Sequence, residues 1–480
     1  MDAQQRKMHG FDYVFDEEVA GFGEPYQAPN GPEGHCGATL LQRLALGLVG
    51  IGLVSVIVQV VTEKLLGSMP GFLLGVALPA GAGALYFWES YRHGTAGIKN
   101  DGVFFGGLTA RGVAGWVAGL AMTALYVMLY FYPSTLGYVP AVWGASGLEQ
   151  EAVVTGGLVK LVEPLALVLG VSTSQWFLYG VLYTGSILVF GVRTAMRYRH
   201  NRYQLVRTGS VMFFQTVFAW YLPQLLVRFG QPYMEFNGVW PLKYNYLWPE
   251  QAAIGGQFLG AGTFGTALLV FAVALVIATP ILTYYFGKRW YCSWVCGCGG
   301  LAETLGDPWR QLSDKSSRAW KIERVTIYTV LGLVLLVTGM LWVDYLTTGN
   351  LYGSWSGSLR GWYGFYIGAV FSGVVGVGFY PLLGSRVWCR FGCPQAAILG
   401  LLQRAFSRFR ITTNGGQCIS CGNCSAYCEM GIDVRAYAQA GENIVRASCV
   451  GCGVCAAVCP RGVLKLENGA SVLEEERYTR

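Results

Sequence analysis

Eight cysteines near the C-terminal end fall into two copies of one spacing: Cys418, Cys421, Cys424 and Cys428, then Cys449, Cys452, Cys455 and Cys459. Each copy reads C-x2-C-x2-C-x3-C, and thiolates at that spacing can wrap a cubane [4Fe–4S] cluster. Zinc modules and disulfide frameworks are the competing uses of clustered cysteine. Zinc sites take four ligands as two pairs, whereas here triplets repeat with Gly422, Gly451 and Gly453 between them. Pro460 follows Cys459, but Glu429 follows Cys428, a difference expected to change the loop and its hydrogen bonding without removing a ligand.

The doubled run resembles that of the bacterial two-cluster ferredoxins. In those proteins the fourth cysteine of each run serves the other run's cluster. The resemblance therefore implies one cluster on Cys418, Cys421, Cys424 and Cys459 and a second on Cys449, Cys452, Cys455 and Cys428.

Two more cysteine pairs lie upstream. Cys292 and Cys296 sit in Arg289-Trp290-Tyr291-Cys292-Ser293-Trp294-Val295-Cys296-Gly297, and Cys389 and Cys393 in Arg386-Val387-Trp388-Cys389-Arg390-Phe391-Gly392-Cys393-Pro394. In helical conformation cysteines four apart share a face, so each pair offers two thiolates and the two pairs offer four to one further metal centre. Cys298 is a third thiol in the first motif and leaves that ligand set ambiguous. The competing reading is that these cysteines are small buried hydrophobes.

The elements that must position these thiols are mostly membrane helices. The chain is 53% hydrophobic and 13% charged with 67 glycines, far from an average soluble composition. Eight stretches approach the ~20 apolar residues that a bilayer span needs: Leu41–Val61, Pro70–Trp88, Gly112–Tyr132, Trp176–Met196, Val211–Val227, Thr263–Phe286, Val325–Trp342 and Phe365–Leu383. Gly156–Val171 is shorter and interrupted by Lys160 and Glu163, which reads as a re-entrant or surface helix. The expected fold is an all-α polytopic membrane domain of about eight transmembrane helices at 41–410. A cytoplasmic segment at 1–40 precedes it, and a small α+β two-[4Fe–4S] ferredoxin-like domain at 411–480 follows.

No basic start followed by an apolar core opens the chain, so the N-terminus is expected to stay inside. Basic residues then fall in alternate connections: Arg92 and Lys99; Arg193, Arg197, Arg199, Arg202 and Arg207; Lys288, Arg289, Arg310, Lys315, Arg318 and Lys321; Arg386 and Arg390. By the positive-inside rule those connections face the cytoplasm of a bacterial inner membrane, and with them both termini and the cysteine-rich domain. The opposite loops, Pro133–Gln175 and Arg228–Gly262, are longer and aromatic, with Trp240, Tyr244, Tyr246 and Trp248 suited to an interface.

The net charge of +7 follows these membrane flanks and forms no aromatic-interleaved patch, so nucleic acid is not an expected partner. Of fourteen cysteines, thirteen fall in metal-type spacings on the inner side and Cys36 stands alone, which suits thiolate ligands in a reducing compartment. Haem b is not expected: the four histidines, His9, His35, His93 and His200, all lie outside the spans. Gln215, Tyr221 and Gln224, beside Pro223 in the fifth span, are candidates to bind quinone, with helix packing as the competing role. The Gly102-to-Gly107 stretch lacks the strand–turn–helix setting of a nucleotide fingerprint, and no catalytic constellation is recognisable.

Paired Cys-x3-Cys motifs at helix ends, followed by a two-cluster module, resemble the polytopic iron–sulfur membrane proteins of the NapH/NosR/CcoG-like group over about residues 260–465. The resemblance implies an electron-transfer protein working between a cytoplasmic donor or acceptor and a quinone or membrane redox partner, as a subunit of a larger respiratory complex. A redox assembly or maturation factor and an iron–sulfur sensor are the alternatives. Two departures stand out: the first motif ends Cys296-Gly297, not Cys-Pro, and residues 1–40 are too short for the extracytoplasmic flavin domain of the nitrous-oxide branch.

Overall fold

A computed structural model describes residues 39–92, 108–140, 142–143, 149–150, 152–231, 233–249, 264–347 and 351–469. Cys36, His9, His35, His93 and most of the 1–40 segment lie outside the described residues.

Among the described residues, seven helices are long and apolar enough to cross a membrane: α1 (Leu40–Thr62), α2 (Met69–Arg92), α3 (Val113–Phe131), α4 (Gln175–Arg197), α5 (Arg202–Arg228), α7 (Ser317–Leu346) and α8 (Trp355–Gly378). The sixth expected span coincides with α6 (Phe264–Phe286), a 23-residue helix carrying Pro280 inside it. Its Val273–Phe286 part is apolar but shorter than a span. On α1, Ile51, Leu53, Val54 and Ile57 are exposed, an apolar face suited to lipid and costly in water.

Three helices depart most from the expected bounds, α7 by beginning at Ser317 and not at Val325. α5 begins at Arg202, nine residues before the apolar run at Val211, because Asn201 caps its first turn by accepting from the Gln204 N–H. It widens to a π-helix over Phe214–Tyr221, just before Pro223 withdraws a backbone donor. α8 starts at Trp355 and is π-helical over Tyr363–Val375. The Gly156–Val171 stretch forms two short helices, Gly157–Leu161 and Glu163–Leu169, with Val159, Val162 and Ala166 packed against Leu129, Phe177 and Val181.

The helices pack α1 on α2, α2 on α4 and α3 on α8, while Pro394–Phe406 lies against both α6 and α7. The C-terminal module hangs from an antiparallel strand pair, Phe409–Thr413 with Leu464–Asn468, in which Ile411 opposes Leu466. Ile444 pairs with the other edge of Ile411. Its short helices Asn423–Ala426 and Val454–Ala457 each begin after a left-handed glycine, Gly422 at φ 79° and Gly453 at φ 70°. A side chain there would be strained, which explains the glycine inside each cysteine run.

Candidate functional site

Two cavities in the module gather the eight cysteines by fours. Cys418, Cys421, Cys424 and Cys459 line the first, with Arg435 and Arg461; Cys428, Cys449, Cys452 and Cys455 line the second, with Glu429 and Tyr427. Each holds about 360 Å³, part of it open to solvent. Cys421 is exposed in the first, whereas Cys449 and Cys455 are buried in the second. We call them outer and inner.

Backbone amides are aimed at the sulfurs. The Ile432 N–H donates to Cys428 Sγ at 3.4 Å and the Val463 N–H to Cys459 Sγ at 3.3 Å. Burial pushes the Cys449 thiol up to about 11 and, helped by Glu429, the Cys452 thiol up to about 12. Free thiolates would therefore be costly here, while a coordinated metal removes the proton outright. A zinc tetrahedron at about 2.3 Å Zn–S draws its sulfurs to roughly 3.8 Å of one another. Among the described residues no three cysteine sulfurs lie within 4.8 Å of one another. The donor set, cavity and amide pattern fit an iron–sulfur cluster better than a single zinc ion.

The Cys-x3-Cys pairs are built differently from expectation. Neither pair lies on one continuous helix. Cys292 ends the turn Arg289–Cys292 and Cys296 is the N-cap of Gly297–Glu303; Cys389 lies in Val387–Phe391 and Cys393 is the N-cap of Pro394–Phe406. Pro394 disfavours helical backbone at the residue before it, so the chain breaks at Cys393 and its sulfur accepts from the Ala396 N–H at 3.4 Å. Both second cysteines thus sit at the start of a helix, but burial outweighs that setting at Cys393 and pushes its thiol well up. All four are buried.

These four thiols face one another closely enough to couple electrostatically: Cys389 and Cys296 both act on Cys292, and Cys389, Cys292 and Cys296 all act on Cys393. Burial pushes Cys292 up to about 12, against the pull of Lys288. A hydrogen bond from Cys298 draws Cys296 down to about 7 despite its burial, and the same bond pushes Cys298 well up. Cys298 thus supports Cys296 as a donor.

Between the inner cavity and these pairs lies a buried charge network that the sequence reading missed. Arg193 and Arg197, one turn apart on α4, both reach Asp307 Oδ2, at 2.5 and 2.6 Å. Arg310 Nε reaches Asp307 Oδ1 at 2.8 Å and the Tyr198 hydroxyl donates to it at 3.1 Å. Burial would raise Asp307, but Arg197, Arg310 and Arg193 hold its carboxyl well below the usual range. Glu303 pairs with Arg207 and with Arg386. Glu429 meets Arg386 at 3.0 Å and Arg310 at 3.6 Å. Arg386 also donates to the Cys292 carbonyl at 3.2 Å and to Cys389 Sγ at 3.6 Å. Glu303, Glu429 and Cys452 place ligand atoms within 4.8 Å of one another, but both carboxylates are already neutralised by arginine and form no separate metal site.

The module is stitched to the helices around this network. Gln204 donates to the Cys452 carbonyl at 2.8 Å, Tyr203 to Gly451 at 2.9 Å, Ser293 to Val450 at 3.0 Å, Gln403 to Cys449 at 2.9 Å and Ser313 to Glu429 at 2.6 Å. Of the quinone candidates, Gln215 stands against the first cysteine loop. It is buried and donates to the Val295 carbonyl at 2.6 Å, while Tyr221 is exposed.

Comparison with known proteins matches this architecture. A 4Fe–4S dicluster domain covers residues 410–460, and a 4Fe–4S binding domain covers 265–323 and 366–413, the two segments that hold the Cys-x3-Cys pairs. The chain thus carries 4Fe–4S ferredoxin-type domains beside helices long and apolar enough to cross a membrane.

Ferredoxin-type relatives are similar over part of its length. The methylamine utilization ferredoxin-type protein MauN of Paracoccus denitrificans (strain Pd 1222) is 29% identical over 203 residues, 40% of this chain and 68% of MauN. The ferredoxin-type protein NapH of Haemophilus influenzae (strain ATCC 51907 / DSM 11121 / KW20 / Rd) is 26% identical over 205 residues, 40% of this chain and 67% of NapH. YccM of Escherichia coli (strain K12), named as a candidate electron transport protein, is 24% identical over 178 residues, 35% of this chain and 47% of YccM. The match thus spans about half of YccM and about two thirds of the others. No solved structure matches the chain.

In this chain the arginines have two explanations. Arg193, Arg197, Arg207, Arg310 and Arg386, counted above as positive-inside residues, are buried in ion pairs beneath the module. Exposed Arg202, Arg318 and Lys321 carry the topological signal without that second role.

Proposed function

We propose that this chain relays electrons through three centres: clusters in the outer and inner cavities and a further iron–sulfur centre on Cys292, Cys296, Cys389 and Cys393. When bound, such clusters supply one-electron transfer. Cys418, Cys421, Cys424 and Cys459 hold the outer one, and Cys449, Cys452, Cys455 and Cys428 the inner. The chain's own residues fix the thiolates with backbone N–H groups, shield the inner site from water and bridge it to the membrane-edge thiols through Arg386. That bridge is the observation that carries the reading.

The partners follow from the exposure pattern. Exposed Cys421 opens the outer cavity to a soluble redox protein, while the membrane-edge thiols lie where a quinone or a membrane redox partner can exchange electrons. In this reading the module faces the cytoplasm of a bacterial inner membrane, which exposed Arg202, Arg318 and Lys321 support by the positive-inside rule. The domain limits of 1–40, 41–410 and 411–480 belong to the same reading, as does membership of a respiratory complex.

Anaerobic stopped-flow spectroscopy tests it. Reduced protein in detergent, mixed with a short-chain quinone analogue as the oxidant, should regain absorbance at cluster wavelengths in the wild type. Cys389→Ser should keep the module's iron but lose quinone-driven oxidation of the module. An unchanged rate in that variant would contradict the relay.

A further inference from the structure

The two module cavities sit in unequal electrostatic surroundings. Around the inner one, five guanidiniums (Arg193, Arg197, Arg207, Arg310 and Arg386) face three carboxylates (Asp307, Glu303 and Glu429), leaving two positive charges in excess in a buried volume. Buried Lys288 adds a further cation beside Cys449. Removed from water, such charges are only weakly screened. The outer cavity has cations of its own, Arg435 and Arg461, but Arg461 is exposed and Cys421 opens the site to solvent. A cluster held by four thiolates is anionic and gains a further negative charge on reduction, so its potential follows nearby charge and exposure.

We propose that this buried arginine set makes the inner cluster the better electron acceptor of the two, with Arg386 the positioning residue that ties its charge to the Cys389 centre. The inference rests on the relay reading and gives it a direction. An electron placed on the outer cluster passes inward: the outer centre is oxidised by one electron and the inner one reduced by one. Glu429, standing where the other run has proline, is the counterweight. It places a carboxylate beside Cys452 and anchors Arg386 and Arg310.

Redox-poised EPR titration of the full-length protein decides it, with Cys421→Ser, which perturbs the outer site alone, assigning the signals. The wild-type inner cluster should be reduced at higher potential than the outer. Arg386→Gln should shift the inner and membrane-edge midpoints downward and leave the outer one in place, while Arg386→Lys restores most of the shift. Glu429→Gln should shift the inner midpoint upward, and decides the matter alone if Arg386→Gln does not assemble. An outer midpoint equal to or above the inner one, or an inner midpoint indifferent to both variants, would overturn the proposal. Iron content read on the same samples separates the cases: a wild type lacking module iron defeats the relay reading itself, whereas full iron with the wrong order defeats only the direction.

Discussion

The outer and inner cavities share one cysteine spacing and one local fold, yet they live in different solvents. The outer is lined by its own loop and opens to water through Cys421. The inner has its cysteines more deeply buried; Gln204 of α5, Ser293 of the first cysteine loop and Gln403 of Pro394–Phe406 bind its loop carbonyls, and Arg310 and Arg386 neutralise Glu429. The contrast teaches that a repeated ligand motif sets which metal group is held, while the residues packed around it set how that group behaves.

The largest effect should come from breaking the inner network. Asp307→Ala leaves Arg193, Arg197 and Arg310 buried without their shared carboxylate, and losing one partner of a buried pair costs about 3–5 kcal/mol. Thermal unfolding in detergent should show a fall of that order. A comparison change outside the arginine network, Asp433→Ala, removes the acceptor of the Ser425 hydroxyl at 2.6 Å, worth about 1 kcal/mol. Equal losses in the two variants would erase the contrast.

Acid should distinguish the same regions. Asp307 and Glu429 are held below their ordinary values of 3.8 and 4.5 by arginines that outweigh their burial. A carboxyl with a depressed folded value stabilises above its unfolded value and loses that contribution as pH falls through the folded one. Stability followed by circular dichroism should therefore be flat from neutral pH to about 5 and decline below it. Glu429→Gln should decline less steeply than the wild type.

A smaller change is expected at the seam. Gln403 accepts from the Lys288 N–H at 2.7 Å and donates to the Cys449 carbonyl at 2.9 Å, so Gln403→Ala should cost about 1–3 kcal/mol in the same melt by stranding buried backbone groups. The smallest belongs to the exposed side of the outer cavity: Arg461→Gln should stay within about 0.5 kcal/mol.

Much of this was legible in the chain. The cysteine spacing marked out the eight residues that line the cavities, the resemblance to two-cluster ferredoxins implied the exchange of Cys428 and Cys459 between the runs, and apolar runs matched seven helices able to span a membrane and most of their limits. The helix breaks at Cys296 and Cys393 were not anticipated, although Pro394 and Gly297 signalled them: the four-residue spacing was read as a helical face when each second cysteine is a cap. The arginine network was hidden for a different reason. Apart from the local pair of Asp307 with Arg310, the carboxylates of Asp307, Glu303 and Glu429 meet arginines far away in sequence, and no local pattern specifies such encounters. The i,i+4 pairs Arg193/Arg197 and Arg386/Arg390 were visible, but membrane topology alone accounted for them.

The claim that three centres share this chain is tested most directly by anaerobic iron and acid-labile sulfide quantitation, with EPR, on the full-length wild type and Cys389→Ser. The account predicts more than about eight irons per wild-type chain, falling to about eight in the variant with both module signals retained. About eight irons in the wild type, unchanged by Cys389→Ser, would show that the membrane-edge cysteines hold no cluster and would contradict it.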